Sequence, residues 1–193
     1  MQKSIENEVL KTIRSRRSIR SFLPDKVEDE KIKAILDCAI YAPSATNAQP
    51  WFFTVIQNEE IIKDMNETTR QIMLNSDDEN LKKMAMRNGF DIFHGARTLI
   101  IVSGKEKNQS APVDCAAATQ NILLAAKSLD IASCWIGFVG ILFGSQHAER
   151  FIELLKIPQG YKPLWAIALG YAKDDYVVAP ERKMDVFEWI KGE

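Results

Sequence analysis

The sequence predicts an α+β fold, a small mixed and mostly antiparallel sheet flanked by helices. Three observations carry this. Helical and strand patterns interleave along the 193 residues, but at irregular spacing. Two helical patterns come before the first strand pattern. No GxGxxG turn follows the first strand and no GxxxxGK(S/T) loop occurs anywhere, which sets aside the dinucleotide-binding and P-loop forms of α/β architecture.

The elements follow in order. Residues 4–13 place Ile5, Val9 and Ile13 on one helical stripe. Residues 27–42, "VEDEKIKAILDCAIYA", form an amphipathic helix with Ile32, Ile35, Leu36, Ala39 and Ile40 at i, i+3, i+4 spacing. Its early acids suit the helix dipole, and Pro43 ends it. "WFFTVIQ" (51–57) is aromatic and β-branched, hence a strand. Residues 59–88 are polar, helical by propensity and carry Met65, Met73, Met84 and Met86. "TLIIVSG" (98–104) is a buried strand. "PVDCAAATQNILLAAKSLD" (112–130) is a helix apolar almost all round, as an internal or interface helix is. "IASCWIGF" is a strand ending at Gly137. Residues 146–156 form a helix with Phe151, Leu154 and Leu155 inward, and "KPLWAIALGYA" (162–172) is the last strand.

Length and a hydrophobic content of 46% describe one globular domain, residues 1–193, with no repeat or low-complexity linker. A net charge of -1 lacks the basic excess of a nucleic-acid binder. No stretch is apolar enough to span a bilayer, and the first residues lack a signal-peptide core. A cytoplasmic setting, with neither nucleic acid nor membrane as partner, is the expectation. Cys38, Cys115 and Cys134 form no CxxC pair and read as small buried hydrophobes. His94 and His147 are too isolated for a zinc site, so no metal is expected.

Two motifs carry chemistry. "RSRRSIR" (14–20) packs four arginines into seven positions. Guanidinium forks match phosphate oxygens. In an extended chain Arg16, Ser18 and Arg20 point to one side and Arg17 and Ile19 to the other. That row suits an anion with a second electron-rich group further along. A solvated charge run is the plainer reading. "YAPSATNAQPWFF" (41–53) adds Ser, Thr, Asn and Gln in a proline-bounded loop, which alone is also compatible with an ordinary connection built on side-chain turns.

Together, "RRSIRSF", "APSATNAQPWFF", "SCWIGF" and the basic pair at 182–183 resemble the FMN-dependent nitroreductase-like family over nearly the whole chain. The resemblance implies a nitroreductase-like α+β fold, an intertwined homodimer, and FMN held without a covalent bond at the subunit interface. By motif, Arg16, Arg17 and Ser18 would hold the FMN phosphate and ribityl chain. Arg20 would lie at the pyrimidine end as a tuning residue. Pro43, Ser44, Ala45 and Asn47 would come from the other subunit to line the ring. Trp135, Ile136 and Gly137 would set backbone amides near flavin N5, and Arg182 and Lys183 would reach the phosphate. Asn88 matches an asparagine that touches the flavin in some relatives, although Asp91 stands where a basic companion is expected.

The implied chemistry is a ping-pong cycle. NADH or NADPH reduces the flavin, then a small oxidant such as a nitroaromatic or quinone takes the hydride from N5. The cofactor carries the chemistry, so no protein nucleophile is required. Phe90, Phe93, His94 and Phe138 are pocket candidates, and Arg70 or Arg87 could meet a 2'-phosphate. The methionines of 59–88 would either wall the pocket or fill gaps under surface helices. An FMN-binding sensor or storage protein with little turnover is the alternative; a phosphate site without flavin fits the arginines alone.

Overall fold

The structure is a computed structural model and describes residues 5–174 and 178–192. Helices α1 (Glu8–Ser15) and α2 (Asp29–Ile40) precede strand β1 (Trp51–Ile56). Then come α3 (Glu59–Leu74), α4 (Glu79–Ala85), β2 (Thr98–Lys105), α5 (Ala111–Ser128), β3 (Ala132–Ile136), α6 (Val139–Phe143), α7 (Ala148–Leu154) and β4 (Tyr161–Gly170). The strands form one antiparallel sheet in the order β1-β2-β4-β3. The α+β class and the antiparallel sheet are as expected.

Inner strand β2 is buried at every position but Lys105. Its side chains alternate between two cores, as a pleated strand requires. Leu99 and Ile101 face one core with Ile62, Met65, Leu142, Phe143 and Phe151 from α3, α6 and α7. Ile100 and Val102 face the other with Ile35, Ala39, Ala118 and Ile122 from α2 and α5. The sheet therefore lies between two helical layers.

Local chemistry sets the helix ends. Asn58 accepts hydrogen bonds from Glu60 N and Ile61 N at the start of α3, with acids in the first turn. Helix α5 closes through Ile131 N–H to Ala126 O at 2.9 Å, with Asp130 at φ 56°. That left-handed cap turns the chain directly into β3. At the same end of the sheet, the Tyr171 hydroxyl donates to Glu28 Oε2 at 2.6 Å and accepts from Lys31 Nζ at 2.8 Å. At two glycines of the sheet a neighbouring side chain comes close. A Cβ at Gly104 would lie 2.9 Å from Leu164 Cδ1 and 3.2 Å from Ala111 Cβ, and one at Gly170 would lie 2.9 Å from Phe22 Cδ1.

Several expectations are corrected. Helix α1 starts at Glu8, capped by Asn7, and its Val9 and Ile13 are exposed; none of its residues is buried. Leu154 points outward at 42% exposure, while Phe151 and Leu155 are buried. Cys38 is exposed, unlike Cys115 and Cys134. The short apolar α6 is not among the expected elements, because five residues are too few to show a period. Met65 and Met73 are fully buried gap-fillers, Met84 is half-buried, and Met86 is exposed.

Candidate functional site

The arginine motif leaves α1 and extends along the edge of the sheet. Ser18 pairs in parallel with Ser133, and Ile19 N–H donates to Ser133 O at 3.0 Å. Further on, Phe22 pairs with Ala172, Leu23 N–H donates to Tyr171 O at 2.8 Å, and Lys173 N–H donates to Ser21 O at 3.0 Å. Edge strand β3 and the end of β4 thus gain a short extra strand, which satisfies edge groups that would otherwise stand open. This docking brings "RRSIR" against "SCWIGF".

Arg16 is half-buried and Arg20 exposed. Among the described residues, no carboxylate lies within ion-pair distance of Arg16, Arg17 or Arg20. Burial pushes the Cys134 thiol up, and the charges of Arg20 and Arg16 oppose that shift. Burial pushes His94 down; Asp91 counters this and Arg20 adds to it. The Arg20 charge thus acts both on Cys134 of β3 and on His94 in the turn at 91–95. Asp91 caps that turn by accepting from Phe93 N at 2.8 Å and Gly95 N at 2.7 Å.

Arg17 behaves differently from its neighbours. Its Nη1 donates to Arg14 O and Arg16 O, both at 2.7 Å, and so closes the C-terminus of α1. Arg16 and Arg17 line a cleft of about 240 Å³ with Lys127, Asp130, Ser133 and Asp174. Lys127, in the last turn of α5, has no motif around it in sequence; only its place at the helix end brings it here.

On β3, Trp135 is exposed, Ile136 buried and Gly137 exposed. Trp135 stacks at 4.8 Å on Trp165, whose Nε1 donates to Thr119 Oγ1 at 2.8 Å. A Cβ at Gly137 would meet nothing within 4 Å, so the surface beside it is open. Phe138 is exposed and Phe90 and His94 half-buried, but Phe93 is fully buried and belongs to the core.

The loop 43–50 lies elsewhere. It leads into β1, the sheet edge opposite β3, roughly 14 Å away at ~4.8 Å per strand. Its Ala45 N–H donates to Asp114 Oδ1 at 3.2 Å, in the first turn of α5, whereas Lys127 marks the far end of that helix. Pro43, Ser44, Ala45 and Asn47 are therefore not beside Arg20 and Gly137 of the same chain. Asn88 lines a separate cleft of about 410 Å³ with Glu67, Arg70 and Arg87. Arg70 is engaged there with Ala85 O at 3.0 Å and Glu67 at 3.8 Å. Arg182 and Lys183 are exposed in 178–192, which forms no helix or strand, and neither lines the cleft around Arg16.

Among the described residues, no helix is long and apolar enough to cross a membrane, and no group of three His, Cys, Asp or Glu is placed to hold a metal. Fold and site define an α+β protein with a run of arginines along one sheet edge. The chain belongs to the Nitroreductase family, whose sequence model matches residues 13–171. It is 36% identical over 184 residues to a protein of Archaeoglobus fulgidus with the provisional name NADH dehydrogenase/NAD(P)H nitroreductase, covering 91% of this chain and 92% of that one. It is similar to a nitroreductase with bound FMN from Bacteroides fragilis, with TM-score 0.89 and 32% identity over 96% of this chain and 100% of the other. A nitroreductase with bound FMN from Desulfitobacterium hafniense gives TM-score 0.90 and 32% identity over 97% and 100%.

Proposed function

We propose that this chain is an FMN-dependent NAD(P)H oxidoreductase that works as a homodimer. The observation that carries the reading is the Ile19–Ser133 hydrogen bond, which aligns the arginine row with Trp135–Gly137. The residues present suit FMN. Guanidiniums that, among the described residues, form no ion pair fit a phosphate and an electron-rich ring edge. The open surface at Gly137 leaves room for a flat ring.

When bound, FMN would accept a hydride at N5 from NADH or NADPH and deliver it to a nitroaromatic, quinone or similar oxidant. Arg16 and Ser18 would hold the phosphate and ribityl chain. Arg20 would stabilise negative charge at the pyrimidine edge. Trp135, Ile136 and Gly137 would offer backbone near N5. Arg17 would contribute its charge to the phosphate region while its Nη1 caps α1. Arg182 and Lys183 would join the phosphate on assembly. Asn88 would touch the flavin from the cleft it shares with Arg70 and Arg87.

The second subunit belongs to the same reading, in which the loop 43–50 lines the ring. The loop 43–50 sits at the wrong sheet edge to touch a ring beside Gly137 of its own chain, but a partner copy can present it. Three free cysteines suit a reducing compartment such as the cytoplasm.

Anaerobic stopped-flow mixing with NADH, then NADPH, tests the activity by the flavin band near ~450 nm. Rapid bleaching is expected with at least one donor. A loaded protein whose flavin stays oxidised with both would favour a binding or sensing role. Sedimentation should show a dimer; a monomer that still holds and reduces FMN would refute the shared site.

A further inference from the structure

The loop 43–50 is held in an unfavourable shape. Thr46, Asn47 and Gln49 have positive φ of 53°, 55° and 45°. None is glycine, and for β-branched Thr46 this region is a genuine outlier. Such residues persist only where the surroundings over-determine them, and they concentrate at functional sites. Most of the loop's bonds are internal: Gln49 N–H to Ser44 Oγ at 3.0 Å, Gln49 Nε2 to Asn47 Oδ1 at 3.1 Å, and Asn47 N–H to Ser44 O at 3.0 Å. Among the described residues, one hydrogen bond reaches segment 43–49 from the rest of the chain. It is the Ala45 N–H donating to Asp114 Oδ1 at 3.2 Å.

Asp114 is a poor choice for stability where it stands. It is 6% exposed in an alanine-rich helix, and among the described residues its Oδ2 is buried without a partner. A carboxylate removed from water with half its accepting capacity unused is unfavourable. Its place in the first turn of α5 offsets only part of that. An apolar or small residue would suit the packing better, so the carboxylate is explained by what it holds.

We infer that Asp114 is a positioning residue of the flavin site: its carboxylate fixes the strained loop that presents Ser44, Ala45 and Asn47 to the ring in the partner subunit. This rests on the FMN reading above. Asp114 touches neither flavin nor substrate; it acts through the Ala45 N–H. The required property is an acceptor at the Oδ1 position, which asparagine also supplies.

The test compares the wild-type chain with Asp114→Ala and Asp114→Asn. Amide exchange of the 43–50 segment is read without FMN. FMN affinity is read by flavin fluorescence, the ring environment by visible circular dichroism of bound flavin, and global stability by thermal unfolding. Asp114→Ala should speed loop exchange, weaken FMN binding about tenfold, or ~1.4 kcal/mol, and change the flavin dichroism. Its melting temperature should stay within about 4 °C of wild type or rise. Asp114→Asn should stay close to wild type in all four. Thr46→Gly placed on Asp114→Ala should recover about threefold in affinity, because glycine adopts positive φ without strain.

Unchanged loop exchange in Asp114→Ala would overturn the assignment. So would failure of asparagine to restore loop protection, or failure of Asp114→Ala to fold, which would make the carboxylate structural. If wild type binds FMN and the loop does not respond, only the role of Asp114 falls. If wild type binds no FMN while loop exchange still responds, the functional reading fails and the positioning role toward flavin fails with it.

Discussion

Ile19 and Ser133 are 114 residues apart in sequence, yet the Ile19 N–H donates to the Ser133 carbonyl at 3.0 Å. That one bond converts two motifs into one surface. The left-handed Asp130 cap starts β3 at Ala132, and Ser133 is thereby set to receive the extended arginine strand. Four expectations follow from this geometry.

Arg16 and Arg20 should separate in function. Arg16→Ala should chiefly weaken FMN retention, by roughly tenfold or more for a charge-assisted contact. Arg20→Ala should lower the flavin midpoint potential and slow hydride acceptance more than it weakens binding. Titration and anaerobic redox measurement on both variants check this. Equal losses of affinity and potential in Arg20→Ala would remove its tuning role.

Gly170→Ala should disturb the site from a distance. The added Cβ would meet Phe22 Cδ1 at 2.9 Å, and Phe22 is part of the segment that carries the arginines along the sheet. Overpacking of this kind costs about 1–3 kcal/mol. Urea unfolding should show that loss, with weaker FMN binding beside it. Gly104→Ala, which crowds Leu164 and Ala111 at the opposite end, should lower stability with less effect on FMN.

Alkaline pH should destabilise the chain through Cys115. Burial, helped by the Asp114 charge, pushes its thiol from 9.0 up to about 12. Above pH 9 the unfolded chain gives up this proton while the folded chain keeps it. Stability therefore falls as pH rises from about 9, and this contribution levels off near 12. Urea midpoints at pH 8 and 10 should diverge more in wild type than in Cys115→Ala. Parallel shifts would show that Cys115 is not the group responsible.

Thiol accessibility should be uneven. Cys38 is exposed on α2, whereas Cys115 and Cys134 are buried and their thiols pushed up by burial. A thiol reagent at pH 8 should modify one cysteine per folded chain quickly, identified by mass spectrometry as Cys38. Rapid labelling of all three would contradict the packing.

Much of this was legible in the chain. The continuous aliphatic run at 98–104 placed β2, because a strand buried on both faces is apolar throughout, and the 3.6-residue period at 32–39 placed α2, because burial on one face of a helix selects a period. "RSRRSIR", "PSATNAQPW" and "SCWIGF" stated the chemistry, since guanidinium forks and a side-chain-free Gly137 suit only certain ligands. Other features had no local signal. Lys127 and Asp114 lie in one alanine-rich stretch, and only the length of α5 carries one to the arginine cleft and the other to the loop. The exposure of Val9, Ile13 and Cys38 could not be read from period alone, since a stripe does not say what covers it. The sequence by itself determined which chemistry-bearing residue types occur and in what order along the chain. Only the tertiary structure decided which of them share a surface, because strand order puts β1 and β3 at opposite edges and so separates the loop 43–50 from Trp135–Gly137 of the same chain.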